Sequence, residues 1–144
     1  MSVLNTILDN LKTALEGITK SASYNTDVKK VYRLANIPDD VKEHLPALSI
    51  VEGEERAVIV GDTNVRFLKD ITINGLIKSE TDLPDKMTKF IDDVKTLIYG
   101  SVDLGTYCLK TRITGMDPHI MDSQKEAIIL VGVEIIYYAP VGSF

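Results

Sequence analysis

The chain has 144 residues, with 16 basic against 21 acidic side chains, a formal net charge of −5 and 44% apolar residues. That length points to a single domain over residues 1–144, which buries roughly two-thirds of its unfolded surface without needing staples. Near-average composition excludes disorder and collagen-like arrays, a single cysteine excludes an internal disulfide, and the acidic balance argues against a broad basic nucleic-acid face.

In chain order, the first residues, MSVLNTILDNLKTAL, have no basic leader ahead of a pure apolar run, so no secretory signal is expected. Val3, Leu4, Ile7, Leu8, Leu11, Ala14, Leu15 and Ile18 recur at spacings of three and four, which predicts a helix capped by Ser2. Residues 19–27 lack periodicity and read as a loop, followed by a short basic strand, VKKVYRL. Asn36 to Glu43 reads as a turn or a single helical turn, and Pro46 opens a strand from Ala47 to Glu52. Arg56 to Val60 and Val65 to Ser79 then flank Gly61-Asp62-Thr63-Asn64, a strong turn signal. Lys69 and Gly75 interrupt the alternation of the second strand and allow a bend or bulge there.

A second helix is expected from Asp82, with Pro84 in its first turn and Gly100 as its stop. Met87, Phe90, Ile91, Val94, Leu97 and Ile98 form its apolar face. Tyr107 to Ile113 reads as a strand with Tyr107, Leu109, Thr111 and Ile113 on one side, and GMDPHIMDSQK as a polar loop. The last strand, Glu126 to Ala139, is apolar on both faces, as expected of a central strand or of one covered by a partner subunit. It is too short for a membrane helix, and the whole reads as a soluble domain. The order of elements predicts an α+β fold: an antiparallel (mixed) β-sheet packed against two main α-helices on one face.

Catalytic signals are weak. His44 and His119 are the two histidines, each in a polar segment, and Cys108 lies in a strand where a small buried thiol is the usual occupant. Asp117, His119 and Asp122 lack a recognised ligand spacing, so a solvated loop accounts for them better than a metal cluster. Asp39-Asp40 reads as turn chemistry and Asp92-Asp93 as a solvated helix face, while Glu52, Glu54 and Glu55 cluster around Gly53 at a strand end or hairpin connection. No nucleophile elbow, phosphate loop or dinucleotide fingerprint occurs, so no catalytic residue, metal or cofactor is expected, and the chain reads as a non-enzyme. Charge is unevenly spread: five bases against three acids over 1–35, two against seven over 36–62, and nine against eleven over 63–144. The acidic middle is either an ordinary solvated face or a surface that meets a basic partner or repels DNA.

The run ILDNLKTALEGI, a Tyr-containing loop, VKKVYR, PALSIVEGEE, ITINGLIKS, MTKFIDDVKTLIY and a terminal IIYYAP resemble, in layout over nearly the whole chain, the tail terminator (tail-completion or minor tail) proteins of long-tailed bacteriophages. The resemblance implies a structural virion protein, located at the neck-proximal end of the tail after assembly in the host cytoplasm. Such a protein forms a hexameric ring that caps the tail tube, stops its polymerisation, docks the head connector and lets DNA through its lumen. Implied partners are further copies of the chain, the tail tube protein and a head-connector or neck protein, with DNA passing unbound. Under this resemblance Glu52, Glu54, Glu55 and Asp62 are candidates for the lumen or tube contact, and Asp117, His119, Tyr137, Tyr138 and Phe144 for subunit contacts. The alternatives are a neck (stopper or adaptor) ring protein, a small cytoplasmic enzyme or ligand-binding domain, and an adaptor that binds through the acidic segment.

Overall fold

The computed structural model describes residues 2–33, 43–60, 63–101 and 103–141. The turns expected over 36–43 and 61–64 fall wholly or partly outside these residues, as do Asp39, Asp40, Asp62 and Phe144. Helix α1 spans Val3–Glu16, and the Ser2 hydroxyl accepts the Asn5 N–H at 3.0 Å, satisfying one of the free first-turn donors. Its apolar stripe does what the spacing predicts: Ile7, Leu8, Leu11 and Leu15 are buried. Truncating any one of these leucines to alanine removes roughly 2–5 kcal/mol. A short 3₁₀ turn at Lys20–Ala22 leads to strand β1, Lys30–Tyr32. Strand β2 (Ala47–Val60) and strand β3 (Asn64–Lys78) follow, then helix α2 (Leu83–Thr96), which runs into a π-helical turn at Leu97–Ser101. Strands β4 (Cys108–Ile120) and β5 (Glu126–Pro140) complete the chain. Pro84 is the second residue of α2, and the Ser79 hydroxyl, rather than Asp82, receives the N–H groups before it, from Asp82 at 3.1 Å and Thr81 at 3.4 Å.

The five strands form one sheet in the order β1-β2-β3-β5-β4. Only β1 and β2 run parallel, so the sheet is mixed, and the fold is α+β as the element order predicts. One face carries both helices. Alternate β5 residues from Ala127 to Ala139 are buried there with Ile71, Ile73 and Ile77, in a single cluster with α1 and α2 side chains. The other parity of β5 is half-buried on the opposite face, where a smaller cluster joins Ala47 and Leu76 to Tyr32, Leu45 and Ile128.

β3 and β5 pair without interruption through fifteen residues, from Asn64↔Pro140 to Lys78↔Glu126. The slips in register lie elsewhere, between Glu52/Glu55 and Ala57/Ile59 in β2, and between Cys108/Lys110 and Ile113/Gly115 in β4. These bulges revise three sequence expectations. The two segments Ala47 to Glu52 and Arg56 to Val60 are one strand, whose extra residue opposite Asp70 lets the chain pass a Gly53-Glu54 bulge. The interruption at Lys69 is therefore the mark of a bulge in the neighbouring strand. In β4 the slip at Leu109 changes the parity: Cys108, Thr111 and Ile113 share the side opposite Tyr137, Ile135 and Val133, while Tyr107 and Leu109 are exposed.

The expected loop GMDPHI is the second half of β4. Its glycine and proline disguise a strand, but β4 is at the edge of the sheet, where a proline without an N–H sacrifices no necessary ladder bond. Asp93 also departs from expectation. It is 2% exposed rather than solvated, and its Oδ1 accepts both the backbone N–H of Asn25 (2.9 Å) and its side-chain amide (3.1 Å), fastening the loop after α1 to helix α2.

Candidate functional site

The acidic candidates lie in the middle of β2, not at a hairpin connection, and all three are exposed. The bulge determines what each can do. Lys69 projects from β3 with 7% exposure, and its ammonium donates to the Gly53 carbonyl at 2.9 Å and lies 3.5 Å from Glu52. A buried ammonium requires such partners, because stripping its hydration without replacement is expensive. Glu52 also meets Arg33 at 3.5 Å, and the same guanidinium reaches Asp9 at 2.8 Å and Asn5 at 3.3 Å. Glu52 therefore ties β2 directly to β3 and, through Arg33 just beyond β1, to α1. Its pair with Arg33, open to solvent on the Glu52 side, contributes about 0.2–1 kcal/mol.

Glu55 accepts the hydroxyl proton of Tyr137. Burial pushes the Tyr137 phenol well above the ordinary tyrosine range, and the Glu55 carboxylate pushes it the same way by bonding to the protonated form. Glu54 alone of the three makes no hydrogen bond or ion pair among the described residues, so it is the one carboxylate of the cluster left open to a partner. Asp62 lies outside the described residues.

Tyr137, a candidate for a subunit contact, is 4% exposed and stacked on Phe67, with ring centroids 5.4 Å apart. Even parity puts Tyr138 on the opposite face, half-buried and edge-on to Tyr107 at 5.1 Å. Asp117 and His119 are exposed on β4 rather than in a loop. Being two residues apart, they share a strand face, and their side chains meet at 2.9 Å. Phe144 lies outside the described residues.

Tyr99, which the sequence reading passed over, lies in the π-helical turn and is 61% exposed. Its hydroxyl accepts the Ile113 N–H at 2.9 Å and faces the Ile113 carbonyl at 3.5 Å, while Thr111 donates to the Ile98 carbonyl at 3.2 Å. β4 pairs with β5 alone, so the Tyr99 contacts occupy backbone groups of a free sheet edge, while the Thr111 hydroxyl ties that edge to the π-helical turn. Among the described residues β1 covers β2 from Ala47 to Ser49 only, and beyond that the β2 strand carries two bulges. Both edges are thus blunted against addition of another strand.

Among the described residues the exposed large apolar side chains fall in three places. Val58 and Val141 lie at one end of the sheet, Ile120 and Met121 at the other, and Tyr99, Tyr107 and Leu109 along the β4 side. At the second end, Ile120 and Met121 line a depression with Leu83 and Pro84 from the start of α2. Among the described residues there is no group of three or more His, Cys, Asp or Glu side chains able to hold a metal ion. Burial raises the Cys108 thiol above its ordinary value, which makes it a poor nucleophile. Among the described residues no helix is long and apolar enough to cross a membrane.

No protein-family model matches the chain, and no curated protein matches it in sequence. Among solved structures, it is similar to a chain of the "Virion of native gene transfer agent (GTA) particle", with a TM-score of 0.51 and 9% identity over 92% of each chain. At that identity the likeness is one of fold, and it extends over nearly the full length of both chains.

Proposed function

We propose that this chain is a structural protein of a phage-like virion, acting as a tail terminator: a ring that caps the tail tube, arrests its growth and offers the docking surface for the head connector. The observation that carries this reading is the fold shared with a chain of a gene transfer agent virion over 92% of both lengths. The distribution of exposed groups supports it. A ring subunit held between a tube and a connector needs two axial contacts and a lateral one. The β3–β5 pair, about 50 Å long at 3.4 Å per residue, carries exposed apolar side chains at each end. Val58 and Val141 serve one axial partner, Ile120 and Met121 the other, and Tyr99, Tyr107 and Leu109 face the neighbouring copy. The lateral contact is head-to-tail, which closes into a ring when the rotation between copies divides the circle.

Blunted edges suit such a component. An open strand edge recruits further strands without limit, whereas a terminator has to stop growth. Glu54, the acid of the cluster with no partner among the described residues, is the candidate for the lumen, where negative charge keeps passing DNA from adhering.

The test is an assembly assay with the tail tube protein of the same particle. Adding the purified chain arrests tube growth, and a ring with sixfold symmetry is seen at the tube end by electron microscopy. Tubes that lengthen unchecked in its presence overturn the proposal. The protein that the ring touches in the assembled particle separates a terminator, seated on the tube, from a neck ring seated one level higher.

A further inference from the structure

Five of the chain's 16 basic side chains surround a single depression: Lys20, Lys29, Lys78, Lys86 and Lys89. They arrive from four separate places, the 3₁₀ turn, the approach to β1, the end of β3 and helix α2. The backbone fixes this convergence. The Asp27 carboxylate accepts the Lys20 backbone N–H at 2.7 Å, and the Lys29 N–H donates to the Pro46 carbonyl at 2.8 Å. Asp27, the one acid among the described residues that line the depression, is thereby engaged by main chain rather than by an ammonium. Lys89 has Asp85 at 3.0 Å and Lys78 has Glu80 at 3.8 Å. Lys20, Lys29 and Lys86 have no carboxylate partner among the described residues.

Like charges gathered this closely repel one another, so an acidic protein that gathers them has a concave surface seeking negative charge. The cavity of about 340 Å³ holds a few side chains. Leu45 and Pro46, both half-buried, add an apolar wall.

We infer that this depression binds a short acidic segment of a partner protein, several carboxylates interspersed with an apolar side chain. Nucleic acid fits it less well. A strand-binding groove offers exposed aromatic rings for bases to stack on, but the ring here, Phe90, is fully buried. The −5 net charge of the chain also repels a long polyanion, while a short segment reaching the lysines is attracted locally. The cations are all lysines, which act as separate point charges and match dispersed carboxylates, in contrast to the two-pronged grip of arginine on one phosphate. The inference is independent of ring formation, since the depression belongs to one subunit.

The experiment titrates the full chain into a fluorescein-labelled peptide of alternating Glu and Leu residues and follows anisotropy. Inorganic phosphate, an oligothymidylate and the Gln version of the peptide serve as comparison probes. The acidic peptide binds, and its affinity falls about tenfold or more between ~50 and ~300 mM salt. The Lys20→Gln/Lys29→Gln/Lys86→Gln variant binds about tenfold more weakly or worse, because it removes the three unpaired ammoniums. A Lys95→Gln/Lys110→Gln control, altered away from the depression, binds as the parent does. All three lysines of the variant are exposed, and an unchanged circular dichroism melt confirms that it folds. Undiminished binding by the triple variant overturns the inference, as does equal binding of the Gln peptide. Tighter binding of the oligothymidylate or phosphate overturns the choice of a peptide ligand.

Discussion

The ring of Phe90 lies directly over Gly75: a Cβ on that glycine would stand 2.6 Å from the ring Cζ and 2.7 Å from Cε1. Phe90 is fully buried and has nowhere to retreat, so the glycine is what allows α2 to settle on β3. Gly75→Ala is expected to cost roughly 1–3 kcal/mol through overpacking. Adding Phe90→Leu recovers part of the loss, and the coupling is read from urea denaturation of both single variants and the pair. Simple additivity would place the strain somewhere other than this contact.

Asp93 fastens the loop after α1 through two hydrogen bonds to Asn25. Asp93→Ala strands the Asn25 backbone N–H and is expected to destabilise by about 2 kcal/mol, whereas Asn25→Ala keeps the backbone bond and loses about half as much. Denaturation midpoints check the order. Equal losses would mean that the backbone bond contributes little.

Tyr137 makes stability sensitive to alkali. Its folded pKa is raised, so the unfolded chain loses the phenolic proton first, near the ordinary value of 10. The contribution is complete below that pH and is lost as pH climbs from there toward the folded value. Tyr137→Phe is expected to cost about 1 kcal/mol at neutral pH, from the lost bond to Glu55. The variant also flattens the decline above pH 10, as thermal melts across the alkaline range would register. An equally steep decline in the variant would assign the titration to another group.

Tyr99 guards the β4 edge by occupying the backbone of Ile113. In Tyr99→Phe those groups are open to another strand, and the expected outcome is polydisperse self-association rather than a discrete ring. Sedimentation velocity at several concentrations measures it. A monomeric variant at every concentration would remove the guarding role.

Both helices are legible in the sequence because each writes its burial at a spacing of three and four, and Ile7, Leu8, Leu11 and Leu15 fall where that spacing puts them. The central strands are legible for the same reason at a spacing of two. Legibility fails at the bulges. One inserted residue at Gly53-Glu54 broke β2 into two apparent strands, and another at Leu109 put Tyr107 and Leu109 on the wrong side. The acidic cluster was visible as composition, but its division was not. Lys69 and Tyr137, which engage Glu52 and Glu55, are respectively 17 and 82 positions away along the chain, and only folding brings them together. Tyr99 left no signal at all, since a tyrosine at the end of an amphipathic helix has no pattern that announces a backbone partner.

The confinement of every register slip to β2 and β4 gives the sheet a mechanical grain. The fifteen-rung β3–β5 ladder is pulled in shear by any force along the long axis, so its hydrogen bonds share the load instead of opening one at a time. The outer strands, interrupted at their bulges, yield first and take up bending. Load along the long axis of β3 and β5 therefore meets the stiff direction of the sheet, and flexing is left to its margins.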